Sequence, residues 1–153
     1  MPNWCDNRLS VSTWNKVEDE DKARKQIEEF RDKAKLIEED GTEATSLSLN
    51  KLYPMPKELE DTKSPTDKPN WYDWRCDNWG TKWDIDGCLE HDDEDYLEYS
   101  FQSAWSPPVP FLEKVSKDFP LLRFVLKYEE GGNNFLGRAI AVNGQVDDAC
   151  LEC

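Results

Sequence analysis

The chain has a single histidine, His91, among its 153 residues. Histidine is the side chain whose unperturbed pKa lies closest to neutral pH, so its scarcity leaves few groups for acid–base catalysis there. The sequence also lacks a Walker-type phosphate loop, an HExxH motif and a defensible serine–histidine–aspartate arrangement. We therefore assign no catalytic residue and no cofactor, and an enzyme is the weakest of the functional interpretations.

Long apolar runs are missing as well. No stretch approaches the ~20 apolar residues that cross a bilayer, and the N-terminal MPNWCDNRLS has no apolar segment typical of a secretory signal. The five cysteines are an odd number, which suits reduced thiols rather than a disulfide framework. We expect a cytoplasmic protein without a membrane partner.

Positive charge is in short supply. The 19 Lys and Arg residues face 33 Asp and Glu residues, which gives a net charge of −14. Such a field repels nucleic-acid phosphates at long range, so direct binding of nucleic acid is not expected. It suits solubility, and it also suits docking on a basic protein surface. The length predicts one domain over 1–153, with a core of its own.

Hydrophobic periodicity predicts a mixed α and β domain. The predicted elements are a strand at 4–13, a helix at about 17–39, a strand at 45–53, a hairpin of 83–90 with 96–103, a helix at 106–120 and a hairpin over 121–142. Their order favours an α+β ferredoxin-like sandwich, with an antiparallel sheet of about five to six strands and two helices on one face. Residues at about 54–82 form a loop insertion, and those at about 144–153 form a loosely attached tail.

Two elements carry more detailed predictions. Asn15 is a candidate helix cap with Glu18 three residues on, and the apolar stripe of that first helix continues to Ile37. In the first hairpin, the apolar residues share one face if Leu89 lies opposite Leu97.

Five short segments resemble, in the same order, the YubB-like proteins of plasmids and phages. The segments are MPNWCDN, LYPMPKEL, NWGTKWD, WSPP and EEGGNNFLG. The resemblance covers almost the whole chain and implies a ferredoxin-like domain from a mobile element in a bacterial host. It implies no known chemistry, because that family has no settled activity.

Four of the seven tryptophans lie within residues 70–84, around NWGTKWD. One interpretation is structural: Gly80 permits a tight turn, and Trp83 begins a strand and enters the core. The other is a ligand pocket, in which a tryptophan stacks on a planar group, a lysine meets an anion and an aspartate accepts hydrogen bonds. The residues predicted to form that pocket are Trp74, Asn78, Trp79, Lys82, Asp84 and Trp105.

The segment 84–98 is acidic and contains no Lys or Arg. It is interpreted either as a solvated hairpin tip or as a negative patch that mimics nucleic acid and docks on a basic protein. The residues predicted to contact such a partner are Asp86, Glu90, Asp92, Asp93, Glu94 and Asp95. Their spacing does not supply a calcium loop, and Cys150 and Cys153 are too few ligands for zinc, so no metal site is assigned.

These observations lead to three hypotheses. The first is a phage- or plasmid-encoded accessory protein that captures a small planar or nucleotide-like ligand in a Trp-rich pocket, for example to inhibit host defence. The second is an acidic decoy that occupies a basic surface of a host protein. The third is an enzyme of unknown class.

Overall fold

The computed structural model describes residues 2–14 and 19–152. Within these residues the strands are β1 (Trp4–Thr13), β2 (Leu36–Ile37), β3 (Glu43–Thr45), β4 (Cys88–Asp92), β5 (Tyr96–Ala104), β6 (Leu122–Glu130), β7 (Phe135–Val142) and β8 (Gln145–Glu152). The helices are α1 (Glu20–Ala34), α2 (Leu49–Leu52), α3 (Trp71–Asn78) and α4 (Val109–Asp118), with a 3₁₀-helix at Lys57–Leu59.

One antiparallel sheet has the strand order β4–β5–β1–β6–β7–β8. Its first four strands, together with α1 and α4, form the split βαβ pattern of a ferredoxin-like fold, and β7 and β8 extend the sheet on one side. The strands β2 and β3 form a separate two-stranded ribbon. The predicted α+β ferredoxin-like class is thus confirmed, as are the strand at β1, the helix at α4 and the β6–β7 hairpin.

The core lies between one face of the large sheet and the helices. Phe30 of α1 lies at its centre, in edge-to-face contact with Tyr99, Phe119 and Phe124 at centroid distances of 6.1, 5.3 and 5.5 Å. Alternate residues of β1 point toward it, so Leu9 is buried whereas its neighbours are not. Burial of such aromatic and aliphatic side chains is the main contribution to stability, at roughly 25 cal/mol per Å² of apolar surface.

The helix α1 is shorter than predicted. Asp19 caps it by accepting a hydrogen bond from the backbone N–H of Lys22 at 3.1 Å, whereas the predicted cap residues Asn15 and Glu18 lie outside the described residues. The helix ends at Ala34, and Ile37 is 52% exposed in β2. The apolar period continues beyond the helix by coincidence, because the backbone turns extended directly after Ala34.

The predicted strand at 45–53 is wrong. The strand β3 ends at Thr45, and the chain then turns into α2, whose N-cap Ser48 accepts a hydrogen bond from the N–H of Lys51. Leu47 and Leu49 are both fully buried, which explains their alternation with serines. Two buried residues at a spacing of two fit a turn into a helix as well as they fit a strand.

The predicted register of the first hairpin is also wrong. Leu89 pairs with Tyr99 rather than with Leu97, and a bulge follows before Leu97 pairs with Asp92. The apolar residues still share one face, because the shift is by an even number of residues. The strand β4 begins only at Cys88, so the segment that contains Trp83 is not part of the sheet.

The predicted loose tail is a strand. The strand β8 pairs with β7 along its whole length, from Gln145 opposite Val142 to Glu152 opposite Phe135. Asn143 and Gly144 connect the two strands with φ of 46° and 81°, the left-handed pair that a two-residue hairpin turn requires. The predicted loop insertion at 54–82 contains the 3₁₀-helix and α3. None of the described helices is long and apolar enough to cross a membrane.

Candidate functional site

Trp79 belongs to the core and not to a ligand pocket. Its side chain is 0% exposed, and its Nε1–H donates a hydrogen bond to the carbonyl oxygen of Tyr53 at 2.9 Å. Trp74 packs edge-to-face against it with the two ring centroids 5.7 Å apart, and the guanidinium carbon of Arg75 lies 5.1 Å from the Trp79 ring centroid. No ring surface is left for stacking, so the predicted ligand contact of Trp79 is wrong.

Two further residues of the predicted pocket are occupied by the same packing. Asn78 accepts a hydrogen bond from the Tyr53 hydroxyl at 2.8 Å and donates one to the carbonyl oxygen of Trp74 at 2.8 Å. Trp74 is half-buried and packs edge-to-face against Tyr53 at 5.3 Å. Arg75 lies between Trp71 and Trp79, and burial lowers the pKa of its guanidinium. These contacts fasten α3 to the domain.

Asp84 is a capping residue for a helix to which it is not adjacent in sequence. Its carboxylate accepts hydrogen bonds from the Ser48 hydroxyl at 2.7 Å and from the backbone N–H groups of Leu49 and Asn50 at 2.7 and 3.4 Å. A negative charge at a helix N-terminus is favourable, and these bonds satisfy N–H groups of the first turn. The carboxylate is therefore committed to α2 rather than to a ligand.

Lys82 and Trp83 lie at the surface, next to a tryptophan from another part of the chain. The Nζ atom of Lys82 lies 4.3 Å from the ring centroid of Trp83, a cation–π contact. The rings of Trp83 and Trp4 are tilted at 40° with centroids 6.1 Å apart, and they are 39% and 43% exposed. The structure thus reverses two expectations, because Trp83 is exposed and Trp79 is buried.

Trp105 is exposed but does not join this pair. It is 45% exposed, has a left-handed φ of 71°, and its backbone N–H donates to the carbonyl oxygen of Asn3 at 2.8 Å. Its side chain does not line the large cavity on the face of the sheet opposite the core. The structure does not bring it together with the other predicted pocket residues.

Three of the five quoted sequence motifs meet at one end of the sheet, where hydrogen bonds connect them. Asn7 donates to the Ser103 hydroxyl at 2.8 Å, and Ser103 in turn donates to the carbonyl oxygen of Ser106 at 2.6 Å. Ser106 donates to the carbonyl oxygen of Gly80 at 2.5 Å. Gly80 has a φ of 87°, and an added Cβ would lie 2.6 Å from the ring of Pro110. MPNWCDN, NWGTKWD and WSPP therefore have a structural explanation.

The residues of the predicted acidic surface are exposed, and several have partners within the chain. Asp92 forms an ion pair with Arg31 at 2.8 Å, and Glu90 accepts a hydrogen bond from Ser100 at 2.6 Å. Asp93 lies 2.5 Å from the Nε2 atom of His91. Glu94 and Asp95 are exposed at the turn, and Asp86 lies apart from them on the border of the large cavity.

A broad open cavity covers the face of the sheet opposite the core. Its volume is about 1250 Å³, and none of the described helices contributes a residue to its lining. The floor consists of residues from β1, β5, β6, β7 and β8, and the segment 84–86 borders it. Trp4 also lines the cavity. Trp83 does not line it but packs against Trp4, so the exposed Trp4–Trp83 pair lies at the cavity edge.

A row of cations crosses the floor of this cavity. Arg8 of β1 is directly opposite Lys127 of β6, and Lys127 is directly opposite Arg138 of β7. Arg8 forms an ion pair with Glu98, whose pKa this hydrogen bond lowers. Lys127 and Arg138 form no ion pair with any carboxylate of the described residues. Like charges directly opposite on neighbouring strands are destabilising.

The next row of the same face carries the opposite charge. Asp6 is directly opposite Glu129, and Gln102 donates a hydrogen bond to Asp6 at 2.8 Å. This row lies between the cation row and Trp4. The cavity therefore presents three zones in order along β1: an aromatic edge, a strip of hydrogen-bond acceptors and a strip of cations.

Trp4, Arg8, Lys127 and Arg138 were not among the residues predicted from the sequence. They occupy the outward positions of the strand alternation, whose inward positions form the core. A two-residue turn at Gly131–Gly132 would have placed Lys127 opposite Leu136. The structure connects the strands through the four residues 131–134, which places Lys127 opposite Arg138. The position of Arg8 beside them depends on the strand order, which no local pattern supplies.

The described residues include no group of three or more His, Cys, Asp or Glu side chains arranged to hold a metal ion. Cys88 and Cys150 are exposed on the outermost strands β4 and β8, whereas Cys5 is buried. Cys153, the partner in the CxxC spacing, lies outside the described residues.

Comparisons with known proteins agree with the fold. Residues 82–152 match the family model described as the ferredoxin-like domain in Api92-like protein. The chain is also similar to the crystal structure of a protein api92 from Yersinia pseudotuberculosis, with a TM-score of 0.66 and 11% sequence identity over 100% of this chain and 99% of that chain. At this identity the likeness shows the fold alone. No curated protein matches the chain.

Proposed function

We propose that this protein is a binding module that captures a small planar or nucleotide-like ligand on the open face of its sheet. The observation that carries the proposal is the exposed Trp4–Trp83 pair at the edge of the 1250 Å³ cavity. Ligand sites are concave and combine apolar or aromatic walls with a few polar groups. The site replaces the pocket around Trp79 that the sequence suggested.

The tryptophan pair supports the proposal because exposure of large aromatic rings is otherwise unfavourable. Trp83 and Trp4 are 39% and 43% exposed, whereas Trp79 nearby is fully buried. Stacking of a base on an aromatic side chain contributes about 1–3 kcal/mol. Lys82, held over Trp83, adds a positive charge beside the ring that would contact the ligand.

The proposal is tested by native mass spectrometry of the purified protein mixed with nucleosides, nucleotides and other aromatic metabolites. We expect an adduct that the Trp4→Ala variant loses. Trp14→Ala is the matched control, because Trp14 is 42% exposed and follows the opposite end of β1. Absence of any adduct, or an adduct that Trp4→Ala and Trp83→Ala both retain, would exclude the proposed site.

A biological setting follows from the resemblance of the five sequence segments to YubB-like proteins. In this proposal the protein is encoded by a phage or plasmid, acts in the bacterial cytoplasm and inhibits host defence by sequestering a nucleotide-like signal. The measurement is phage plating efficiency on a defended host that expresses either the wild-type protein or Trp4→Ala. Equal plating with both proteins would disconnect the site from defence.

A second candidate is the acidic decoy. The observation that favours it is the β4–β5 turn, where Asp93, Glu94 and Asp95 are all exposed. Reversal of these three residues to lysine should abolish binding to a basic partner, and the partner should dissociate at high salt. Asp92 is left unchanged because it forms an ion pair with Arg31. The variant therefore tests the charge of the turn without removing that ion pair. Binding that survives the reversal would exclude the decoy.

A further inference from the structure

The cation row on the cavity floor has no role in packing. Arg8, Lys127 and Arg138 point away from the core, and each is exposed. We infer that this row binds the phosphates of the ligand, so that the ligand class is a nucleoside polyphosphate. The inference rests on the proposed function, because it concerns the same cavity and names what the cavity holds.

The geometry of the row suits a chain of phosphates better than a single one. Neighbouring strands lie about 4.8 Å apart, so the three cations on β1, β6 and β7 extend over about 10 Å. Guanidinium groups bind phosphate oxygens through two parallel hydrogen bonds, and a lysine between them adds a mobile point charge. Arg8 also remains available, because the five N–H donors of a guanidinium exceed those used by Glu98.

The distance from the cations to the tryptophans fits the other end of such a ligand. Trp4 and Arg8 are four residues apart on β1, which is about 14 Å at a rise of about 3.4 Å per residue. A base stacked on Trp4 would therefore reach the cation row only through a sugar and an extended phosphate chain. A free base or a nucleoside is too short.

The acidic strip between the two zones fits the sugar. Asp6 and Glu129 present carboxylate oxygens there, and carboxylates are acceptors for the hydroxyl groups of ribose. The same strip disfavours phosphate groups, which places them over the cations alone. The order of the zones along β1 thus matches the order of base, sugar and phosphates.

The charge of the whole protein does not contradict this assignment. A net charge of −14 repels an anion at long range, but exposed charges are screened beyond about 8 Å at physiological ionic strength. Within that distance the floor presents a row of three cations, two of which are free of ion pairs among the described residues. A bound polyphosphate would also relieve the repulsion between Lys127 and its two neighbours.

The inference is tested by calorimetric titration with four common nucleosides, their 5′-triphosphates and inorganic triphosphate. We expect one triphosphate to bind at least about tenfold more tightly than its nucleoside, since charge-assisted hydrogen bonds contribute more than neutral ones. Lys127→Gln and Arg138→Gln should each weaken triphosphate binding about tenfold and leave nucleoside binding unchanged.

Arg123→Gln is the matched control. Arg123 lies on β6 and on the same face as Lys127, but it faces Ser12 and Val142 and does not line the cavity. It should leave the affinity unchanged, although it removes the same charge. Because Lys127→Gln also removes like-charge repulsion, its melting temperature should equal or exceed that of the wild type, which separates loss of binding from loss of folding.

The outcomes separate this inference from the proposed function. Nucleosides that bind as tightly as triphosphates, with Trp4 required, would support the function and overturn the inference. Inorganic triphosphate that binds through Lys127 while no nucleotide depends on Trp4 would support the cation site and overturn the planar-ligand function. Equal effects of Arg123→Gln and Lys127→Gln would indicate general charge and overturn the inference. Failure of all these probes to bind would overturn the inference, and absence of an adduct with the other aromatic metabolites as well would overturn the proposed function.

Discussion

The indole Nε1 of Trp79 donates a hydrogen bond to the carbonyl oxygen of Tyr53, and this single contact ties the end of α3 to the segment that follows α2. Trp79 is fully buried, so the bond satisfies a polar group that water cannot reach. The hydroxyl of Tyr53 also donates a hydrogen bond to Asn78, so Tyr53 is connected to the end of α3 through two neighbouring residues.

Trp79→Phe should lower the free energy of unfolding by about 2 kcal/mol. The change leaves the half-buried carbonyl oxygen of Tyr53 without this donor and removes part of a packed ring system. Trp14→Phe, at an exposed ring, should change the free energy by about 0.5 kcal/mol or less. Urea denaturation of both variants checks this, and equal stabilities would show that Trp79 is not a structural residue.

Asp84→Ala should lower the free energy of unfolding by about 1–2 kcal/mol, because it removes the carboxylate that accepts hydrogen bonds from the N-cap Ser48 and from the first turn of α2. Asp86→Ala is the matched control, since Asp86 is an exposed aspartate two residues on and makes no comparable contact among the described residues. Thermal and urea unfolding would measure both. If Asp86→Ala were the more damaging change, the capping role would be wrong.

Gly137→Ala should destabilise the domain by about 1–3 kcal/mol through overpacking. An added Cβ would collide with the ring and hydroxyl of Tyr128 and would lie 2.6 Å from the carbonyl oxygen of Ala149. Tyr128 must cross this glycine for its hydroxyl to reach Asp148, to which it donates at 2.5 Å. Gly131→Ala meets nothing within 4 Å and should be tolerated. The measurement is denaturant unfolding of the pair.

The stability of the domain should decrease between pH 9 and pH 11 in part because of Cys5. Burial raises the pKa of this thiol from its ordinary value of 9.0 to about 11. In that window the unfolded chain has lost a proton that the folded chain still holds, so the free energy of unfolding falls as pH rises. The contribution is fully present below pH 9 and is lost as pH rises through about 11.

Cys5→Ala is the variant that measures this contribution. The quantity to compare is the difference in free energy of unfolding between the wild type and Cys5→Ala. This difference should be constant below pH 9 and should shrink as the pH approaches 11. Urea titrations at a series of pH values give both curves. Parallel curves over the whole range would show that the thiol does not couple to folding.

The fold was largely predictable because long periodic segments dominate it. The alternation of β1 and β6 and the stripe of α1 each repeat over several turns or residue pairs, and the structure contains them. The errors occur where a pattern is short or a contact is distant. Leu47 and Leu49 fit two structures equally well, and the capping of α2 by Asp84 is not visible in local sequence.

One error concerned a signal that was present. Asn143–Gly144, between alternating apolar residues, is a strong local indication of a hairpin, and it predicts a strand at β8. Composition favoured a loose tail because the segment is acidic and terminal. The segment nevertheless forms a strand, because Asn143 and Gly144 both adopt the left-handed backbone conformation that the hairpin turn needs.

The candidate site was harder to predict than the fold. A dense cluster of tryptophans drew the assignment to Trp79, but density in sequence does not distinguish a buried ring from an exposed one. The exposed pair joins Trp4 and Trp83, which are far apart in the chain. The cation row likewise joins three strands through their register, so it exists only in the folded sheet.

The exposed thiols of Cys88 and Cys150 lie on the two outermost strands, five strand spacings apart. With Cys76 and Cys153 replaced by serine and Cys5 protected by burial, spin labels on these two thiols would be separated by about 24 Å plus their linkers. The native chain thus supplies two labelling positions for a distance measurement across the sheet. A change in the distance between the labels would show whether the curvature of the sheet changes when a ligand fills the cavity.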